Sequence, residues 1–306
     1  MHASLQAITA ELRRLKASGV KTLPVSDESL AILRAALSGR APVGGTPAVV
    51  APTPDALETP IAYKPPARTF VAKPVPVPTA TIPPPTPFVL PAGDKATRWA
   101  ALKERVLNDP VCRAQVRPGK QLVLGVGSLD AKIMFVGEAP GAEEEVQGEP
   151  FVGPAGQLLT KMITAMGLKR ADVYIGNIMN WRPAMPVDAS GVQYGNRPPS
   201  PQELAYCLPY LQAQIDVVQP ELLVALGSTA AQGLLGAGTF KSLGEVRSQW
   251  KDFGGKPLIV TYHPSYILRT QSNQSKRLIW EDLLKVMERA ALPISEKQRG
   301  FFLDRG

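Results

Sequence analysis

The chain contains 306 residues, of which 44% are hydrophobic, so it can form a sizeable buried core. Its formal net charge of +8 favours a polyanionic partner such as nucleic acid, and a basic surface that serves only solubility is the alternative. The sequence has two cysteines, no signal-peptide pattern and no apolar run near the about 20 residues of a membrane span, so we expect a cytoplasmic monomer without membrane contact.

Two short helices are predicted in the N-terminal segment, residues 1–40. The stretch "LQAITAELRRLKASG" (5–19) repeats apolar residues at helical spacing and stops at a glycine. The stretch "SDESLAILRAALSG" (26–39) begins with a Ser/Asp cap and also ends at a glycine. A docking element for a protein partner and a loosely structured pair both fit this pattern.

A proline-rich linker is predicted over residues 41–93, which hold about half of the 31 prolines. Proline lacks a backbone donor and has a fixed φ, so a stretch such as "KPVPVPTATIPPPTPFVLP" disfavours both helix and sheet. We expect this linker to be extended or disordered, with polyproline II character.

Strands alternate with helices from residue 94 to residue 294, and residues 295–306 are predicted to be a C-terminal tail. The predicted strands are 131–137, 172–177, 221–227 and 256–262, and the predicted helices are 155–167, 200–220, 228–236 and 275–292. This alternation is typical of a parallel sheet that is covered on both faces. The sequence therefore predicts a three-layer α/β/α domain with a central four-stranded, mainly parallel sheet.

Each predicted strand ends in a glycine-rich or polar turn. These turns are residues 138–141, Asn177, residues 227–228 and residues 263–264. Ligands of open parallel sheets bind beyond the carboxyl ends of the strands, so we expect a binding site at this edge. For any one turn the alternative is that a glycine simply ends a strand.

Four stretches resemble the motifs of the uracil-DNA glycosylase superfamily. They are "GEAPGAEEEVQGEPFVGPAGQLL" (137–159), "IGN" (175–177), "LGSTA" (226–230) and "HPSYILR" (263–269). The resemblance covers roughly residues 100–290 and is closest to the family-4 branch, whose members carry an iron–sulfur cluster. It implies a DNA repair enzyme that acts on uracil-containing DNA. Such an enzyme hydrolyses the N-glycosidic bond of uracil without a metal, after the base has been flipped into a pocket.

The resemblance also implies which residues bind uracil. Phe151 matches the stacking aromatic, and Asn177 matches the amide that distinguishes uracil from cytosine. His263 matches the donor to uracil O2, which takes up negative charge as the bond breaks. Gly137 and Ala139 complete the predicted uracil-binding set. The structural alternatives are an ordinary core aromatic for Phe151 and turn residues for Asn177 and His263.

Carboxylates of the first motif are the other predicted catalytic groups. The resemblance places Glu138 and Glu144 beside His263 in the catalytic set, where one carboxylate would orient the attacking water and offset positive charge on the sugar. Glu143 and Glu145 are interpreted as part of a solvated face.

The stretch that follows His263 is predicted to contact DNA. Tyr266, Ile267 or Leu268 would fill the space left by the flipped base, and Arg269 would hold a phosphate. Alternatively, Ile267 and Leu268 begin a helix that packs on the sheet.

Two of the four cluster cysteines of the family-4 branch are absent. Cys112 and Cys207 match the first and fourth positions, whereas Gln115 and Trp181 occupy the other two. Iron–sulfur clusters are held by thiolates, so we expect no cofactor and no metal site. The run "WRPAMPVDASGVQYGNRPP" (181–199), here called the insert, is longer than is usual in the family and contains no histidine.

Two other functions stay open at this point. The lost cysteines suit a catalytically weak or inactive superfamily member that acts as a DNA-binding or recruitment module. A nucleotide-binding α/β protein such as a dehydrogenase is disfavoured, because "GEAPG" lacks the GxGxxG pattern and the loop that follows is acidic.

Overall fold

The structure, a computed structural model, describes residues 82–188 and 191–303. The predicted N-terminal helices, the linker as far as residue 81 and the last three residues lie outside the described residues. Within the described part of the chain, no helix combines the length and the apolar character needed to cross a membrane.

The apolar runs of the sequence form the centre of a six-stranded sheet. Its strands are β1 (Val126–Gly127), β2 (Ile133–Gly137), β3 (Tyr174–Asn177), β4 (Leu222–Leu226), β5 (Trp250–Phe253) and β6 (Lys256–Thr261). The order across the sheet is β1-β3-β2-β4-β6-β5, with the four central strands parallel and both edge strands antiparallel.

The predicted mainly parallel α/β fold is confirmed, but the sheet has two more strands than the four expected. Strand β1 contains only two residues, which is too short for a periodic pattern. Strand β5 is only partly buried and reaches β6 through Gly254 and Gly255, both with positive φ, a geometry that suits a tight hairpin turn. Both extra strands are short edge strands, whose sequences lack the long apolar run of a buried parallel strand.

Helices cover both faces of the sheet. In chain order they are α1 (Lys95–Asn108), α2 (Pro110–Gln115), α3 (Glu144–Gln147), α4 (Pro154–Ala165), α5 (Pro201–Val218), α6 (Ser228–Leu235), α7 (Leu243–Val246), α8 (Pro264–Thr270), α9 (Asn273–Arg289) and α10 (Glu296–Arg299). The long helix α5 begins with a capping box, in which Ser200 and Glu203 each accept a backbone N–H of the other.

The alternation of side chains along β2 divides the core into two layers. Ile133 and Phe135 pack with α4 and α9 on one face of the sheet. Met134 and Val136 pack with α5 and α6 on the other face. All four side chains are at most 2% exposed, which explains why β2 reads as an uninterrupted apolar run.

The packed part of the chain extends past the predicted bounds of 94–294 at both ends. Phe88 stacks against Tyr210 at 5.4 Å between ring centroids, so the end of the proline-rich stretch lies on α5. At the other end, the Gln298 side chain donates to Ala165 O at 2.8 Å and Gln298 O accepts from the Trp280 indole at 2.6 Å.

Candidate active site

The carboxyl ends of the four parallel strands meet at one edge of the sheet, as the sequence predicted. Gly137 and Asn177, the last residues of β2 and β3, lie directly opposite each other in the ladder. Gly227 follows β4, and a Cβ atom placed on it would lie 3.1 Å from the Cβ of His263, near the end of β6. The sheet register therefore brings together residues that are up to 126 positions apart in the chain.

The missing side chain of Gly137 leaves room for two side chains of this site. A Cβ atom at Gly137 would lie 2.4 Å from Asn177 Oδ1 and 2.5 Å from Phe151 Cζ, closer than van der Waals contact allows. The carboxamide and the aromatic ring thus converge over one residue that only glycine can occupy without displacing them.

Phe151 is held in an unusual backbone conformation. Its φ of +55° lies in the left-handed region, which residues other than glycine rarely adopt. Helix α4 allows this conformation because a Cβ atom on Gly156 would lie only 1.8 Å from Phe151 O. The ring is 6% exposed and its centroid lies 5.6 Å from that of His263.

The carboxamide of Asn177 is buried and its oxygen has no partner in the described part of the chain. The residue is 5% exposed, and its Oδ1 has no hydrogen-bond partner within the described residues. A buried acceptor without a partner is costly, so this oxygen is ready to accept a hydrogen bond from a ligand.

The imidazole of His263 has a defined tautomer at neutral pH. Burial, followed by the positive charge of Arg269, lowers the pKa of His263 to about 4, against a weaker opposite effect of Glu144. The backbone N–H of Ser265 donates to His263 Nδ1 at 3.2 Å, which makes Nδ1 an acceptor. The single proton of the neutral ring is therefore assigned to Nε2, which becomes a hydrogen-bond donor.

The carboxylate of Glu144 organises the loop that carries Phe151. Its Oε1 accepts from the N–H groups of Val152 and Gly153 at 3.1 and 3.0 Å, and its Oε2 accepts from Gly141 N–H at 3.1 Å. One side chain thus joins the two turns of the first motif. Glu144 also lines the cavity described below.

The prediction that Glu145 belongs to a solvated face is wrong. Glu145 is 4% exposed, and its Oε1 accepts from Arg182 Nη1 at 2.8 Å and from Arg117 Nη2. Arg182 belongs to the insert and is itself buried. Its ion pair with Glu145 therefore connects the acidic loop to the insert. The neighbouring Glu143 is exposed. Adjacent glutamates of this loop therefore differ in burial, which the run of three glutamates in the sequence does not reveal.

Glu138 lies beside the site rather than in it. It follows Gly137, but the cavity is lined by other residues of this loop. Burial raises the pKa of Glu138, and a hydrogen bond with the side chain of Thr229 on α6 opposes that rise. The main chain of Glu138 has a further role, because Glu138 O accepts from Met179 N–H at 3.1 Å.

The predicted DNA-contacting stretch forms helix α8, with His263 as its N-cap. Ile267 is 7% exposed and packs in the core with α4 and α9, which agrees with the alternative of a helix packed on the sheet. Leu268 is 40% exposed, and the exposed Arg269 lines the cavity. Tyr266 stacks on Tyr262 at 4.4 Å between ring centroids.

These elements enclose a cavity of about 360 Å³, within the range of small-ligand sites. The predicted residues that line it are Ala139, Glu144, Phe151, Asn177, His263 and Arg269, whereas Gly137 lies behind Phe151 and Asn177 and does not line it. Asn196, from the insert, also lines the cavity and was missed from the sequence. Its Oδ1 accepts from Arg182 Nε at 2.8 Å, a contact that sequence spacing alone does not reveal.

Comparison with known proteins agrees with this geometry. Residues 124–284 match the sequence profile of the Uracil DNA glycosylase superfamily, which is more than half of the chain. The chain belongs to the uracil-DNA glycosylase superfamily. The matched region includes all four strand ends of the site, and this membership excludes the dehydrogenase interpretation.

Relatives place this superfamily member nearest the type-4 branch. It is 42% identical to the type-4 uracil-DNA glycosylase of Thermotoga maritima over 185 residues, which cover 60% of this chain and 90% of that protein. It is 39% identical to the type-4 uracil-DNA glycosylase of Pyrobaculum aerophilum over 158 residues, 49% of this chain and 74% of that protein. The type-5 uracil-DNA glycosylase of the same organism is 29% identical over 175 residues, 54% of this chain and 73% of that protein.

The residues at the cluster positions do not fit an iron–sulfur cluster in this superfamily member. Cys112, Cys207 and Trp181 pack in one apolar group, and Trp181 is 1% exposed. Burial raises the pKa of both thiols, although a cluster requires thiolates. Within the described residues, no group of three or more histidine, cysteine or acidic side chains could hold a metal ion.

Gly137→Ala should disrupt the site with little effect on the fold. The new methyl group would displace the Phe151 ring or the Asn177 amide, and a shift of about 1 Å can cost about 100-fold in rate. The measurement is uracil release from DNA under single-turnover conditions, together with the melting temperature.

Gly176→Ala, in the adjacent strand β3, is the matched control, because its new Cβ atom would meet nothing closer than 3.5 Å. We expect near-normal rates for this variant. Equal rates for Gly137→Ala and the wild type would contradict the role of Gly137 in leaving room for Phe151 and Asn177.

Proposed function

We propose that this chain is a DNA repair glycosylase that hydrolyses the bond between uracil and deoxyribose in DNA. The observation that carries the proposal is the convergence of Phe151, Asn177 and His263 on one cavity at the sheet edge. The type-4 and type-5 uracil-DNA glycosylases among its relatives support the same activity.

The base would enter the cavity after it has been flipped out of the DNA stack. The interior of a duplex hides the glycosidic bond, and the cavity is bounded by buried strand ends that no duplex can enter. Phe151 would stack on the flipped ring. The exposed Leu268 would fill the vacated space and Arg269 would hold a phosphate, with Tyr266 beside them.

Asn177 would select uracil over cytosine through its two amide groups. The unpartnered Oδ1 would accept the N3–H of uracil, and Nδ2 would donate to O4. Cytosine presents an acceptor at N3 and an amino group at C4, which reverses this pattern. A buried amide left with two mismatched contacts is strongly unfavourable.

His263 would stabilise the departing base. As the C1′–N1 bond breaks, its electron pair leaves with uracil and negative charge grows on O2. The neutral Nε2–H can donate to this oxygen without losing its proton. Donors of this kind typically contribute about 2.7–4 kcal/mol to the transition state.

A carboxylate would act on the opposite charge. Positive charge develops on the sugar, and a water molecule supplies the oxygen that binds C1′, while the proton that this water loses neutralises the uracil anion. Glu144 lines the cavity and is the carboxylate that we assign to the water and the sugar. The support for a catalytic role of Glu138 is limited to its position between Gly137 and Ala139, at the end of β2. The reaction uses these side chains and no metal.

An assay on synthetic DNA tests the activity. Single- and double-stranded oligonucleotides with one uracil are incubated with enzyme, and alkali cleaves the abasic product. Asn177→Asp should slow uracil release by about 100-fold or more and shift the ratio of rates towards cytosine, because its carboxylate accepts from the cytosine amino group.

Asn177→Ala is the control, with a similar loss and no shift towards cytosine. Salt-dependent DNA binding without base release, from wild-type protein shown to be folded, would contradict the proposal and favour a DNA-binding or recruitment module.

The pH dependence should show that the imidazole acts in its neutral form. Because the pKa of folded His263 lies at about 4, the ring stays neutral from about pH 5.5 to 8. We expect no change in the single-turnover rate from this group across that window. His263→Ala should lower the rate by about 100- to 1,000-fold. A rate that falls as pH rises through about 6.5 would instead identify the imidazolium as the donor.

We propose further that the protein holds no iron–sulfur cluster. The apolar group around Trp181 and the hydrogen bonds of Asp109 with the hydroxyl groups of Tyr206 and Tyr210, both at 2.8 Å, would hold α2 to α5 in its place. Protein purified without oxygen should lack iron and visible charge-transfer absorption, with a known iron–sulfur protein purified in parallel. About four irons per chain would contradict this prediction.

A further inference from the structure

The insert exposes a group of apolar side chains beside the cavity. Val187, Val192 and Tyr194 are 37%, 44% and 69% exposed. Among the described tyrosines, Tyr194 alone is exposed, whereas the others are buried or partly buried. Exposed tyrosine is common at binding surfaces because the ring combines a large apolar face with a polar end.

The base of the insert is firmly held, so the position of Tyr194 is defined. Gln193 is 5% exposed, and its side chain accepts from Met185 N–H at 3.1 Å and donates to Pro183 O at 3.0 Å. Gly195 O accepts from Arg182 Nη2 at 2.7 Å. Tyr194 thus lies between two anchored residues, while its own side chain faces solvent.

This position is close along the chain to a residue of the candidate active site. Asn196 lines the cavity and is two residues from Tyr194, so their Cα atoms are at most about 7.6 Å apart. Helix α8 contributes Arg269 to the cavity and carries the exposed Leu268. Two chain segments, the insert and α8, therefore each place an exposed apolar side chain near the cavity.

The chemistry of the insert favours bases over phosphates. Between Pro183 and Asn196 the sequence contains no lysine or arginine, and the two arginines of the insert are already paired, Arg182 with Glu145 and Arg197 with Glu203. A flipped nucleotide leaves its neighbours with one unstacked face. Aromatic side chains stack on such faces regardless of base identity.

We propose that Tyr194 stacks on a base of the substrate strand adjacent to the flipped uracil. This inference rests on the proposed function, because the flipped base creates the free face that Tyr194 would cover. Tyr194 would act in binding and positioning, and Leu268 would act from the other segment. The contact needs the aromatic ring and not its hydroxyl group.

Substitutions at this exposed position test the proposal without threatening the fold. Tyr194→Ala should lower kcat/KM on uracil-containing single-stranded DNA by about 5- to 150-fold, the range for loss of one stacked base. Tyr194→Phe and Tyr194→Trp should retain activity within about threefold, because both keep the ring. Phe302→Ala is the matched control, because Phe302 is also an exposed aromatic residue (42%) but packs beside Phe301 and belongs to neither the insert nor α8, and this variant should behave as the wild type.

A fluorescence measurement shows whether the ring meets a base. Two oligonucleotides are used, one with 2-aminopurine on the 5′ side of 2′-fluoro-deoxyuridine and one with it on the 3′ side. The fluorine disfavours positive charge on the sugar and so prevents cleavage. Wild-type protein and Tyr194→Trp should each quench the 2-aminopurine fluorescence of one of these two oligonucleotides. Tyr194→Ala at saturating concentration should not quench it.

The outcomes separate this inference from the proposed function. Base release by the wild type at a rate equal to that of Tyr194→Ala would overturn the stacking role alone. A slower Tyr194→Ala with unchanged quenching would also overturn it. Quenching that depends on Tyr194 in a wild type that releases no uracil would support the contact and reject the glycosylase activity.

Discussion

The close approach of two side chains over Gly137 is the constraint on which the rest of the site depends. The Phe151 ring and the Asn177 amide meet at a point that a single methyl group would fill. Strand register fixes one of them, because Asn177 lies opposite Gly137 in the ladder. The position of Phe151 is fixed by its own left-handed backbone, just before helix α4, where Gly156 makes room for Phe151 O. Packing at this density leaves little freedom, which is the property that a selective pocket needs.

The acidic loop of this basic protein is an organising element with two separate sets of partners. Glu144 binds backbone N–H groups of its own loop and faces the cavity. Glu145 binds two arginines and thereby connects the loop to the insert. A buried carboxylate is unfavourable without such partners, so each glutamate is stable only in the arrangement that it helps to form. The second connection places Asn196 at the cavity, two residues along the chain from Tyr194.

The region around Trp181 is apolar core at the positions where the family resemblance implies cluster ligands. Cys112 and Cys207 remain buried beside the indole ring, so three of the four family positions still converge. The indole ring of Trp181 contributes apolar surface to this group. Phe88, from the end of the proline-rich stretch, adds a further ring to this group. The stretch that the sequence presents as a linker thus supplies part of the packing in its last residues.

The sequence by itself determined the layered α/β architecture, the four central strands and the edge where their turns meet. These follow from local patterns, because a buried parallel strand is a continuous apolar run and a covering helix shows a period of 3.6. The family motifs also identified Phe151, Asn177 and His263 as candidates. Only the tertiary structure decided that Glu145 is buried, that Ile267 belongs to the core and that Glu138 lies beside the cavity. It alone joined Asn196 to the site. These outcomes depend on contacts such as that between Arg182 and Glu145, 37 residues apart, and no local period records which distant side chain will satisfy a buried charge.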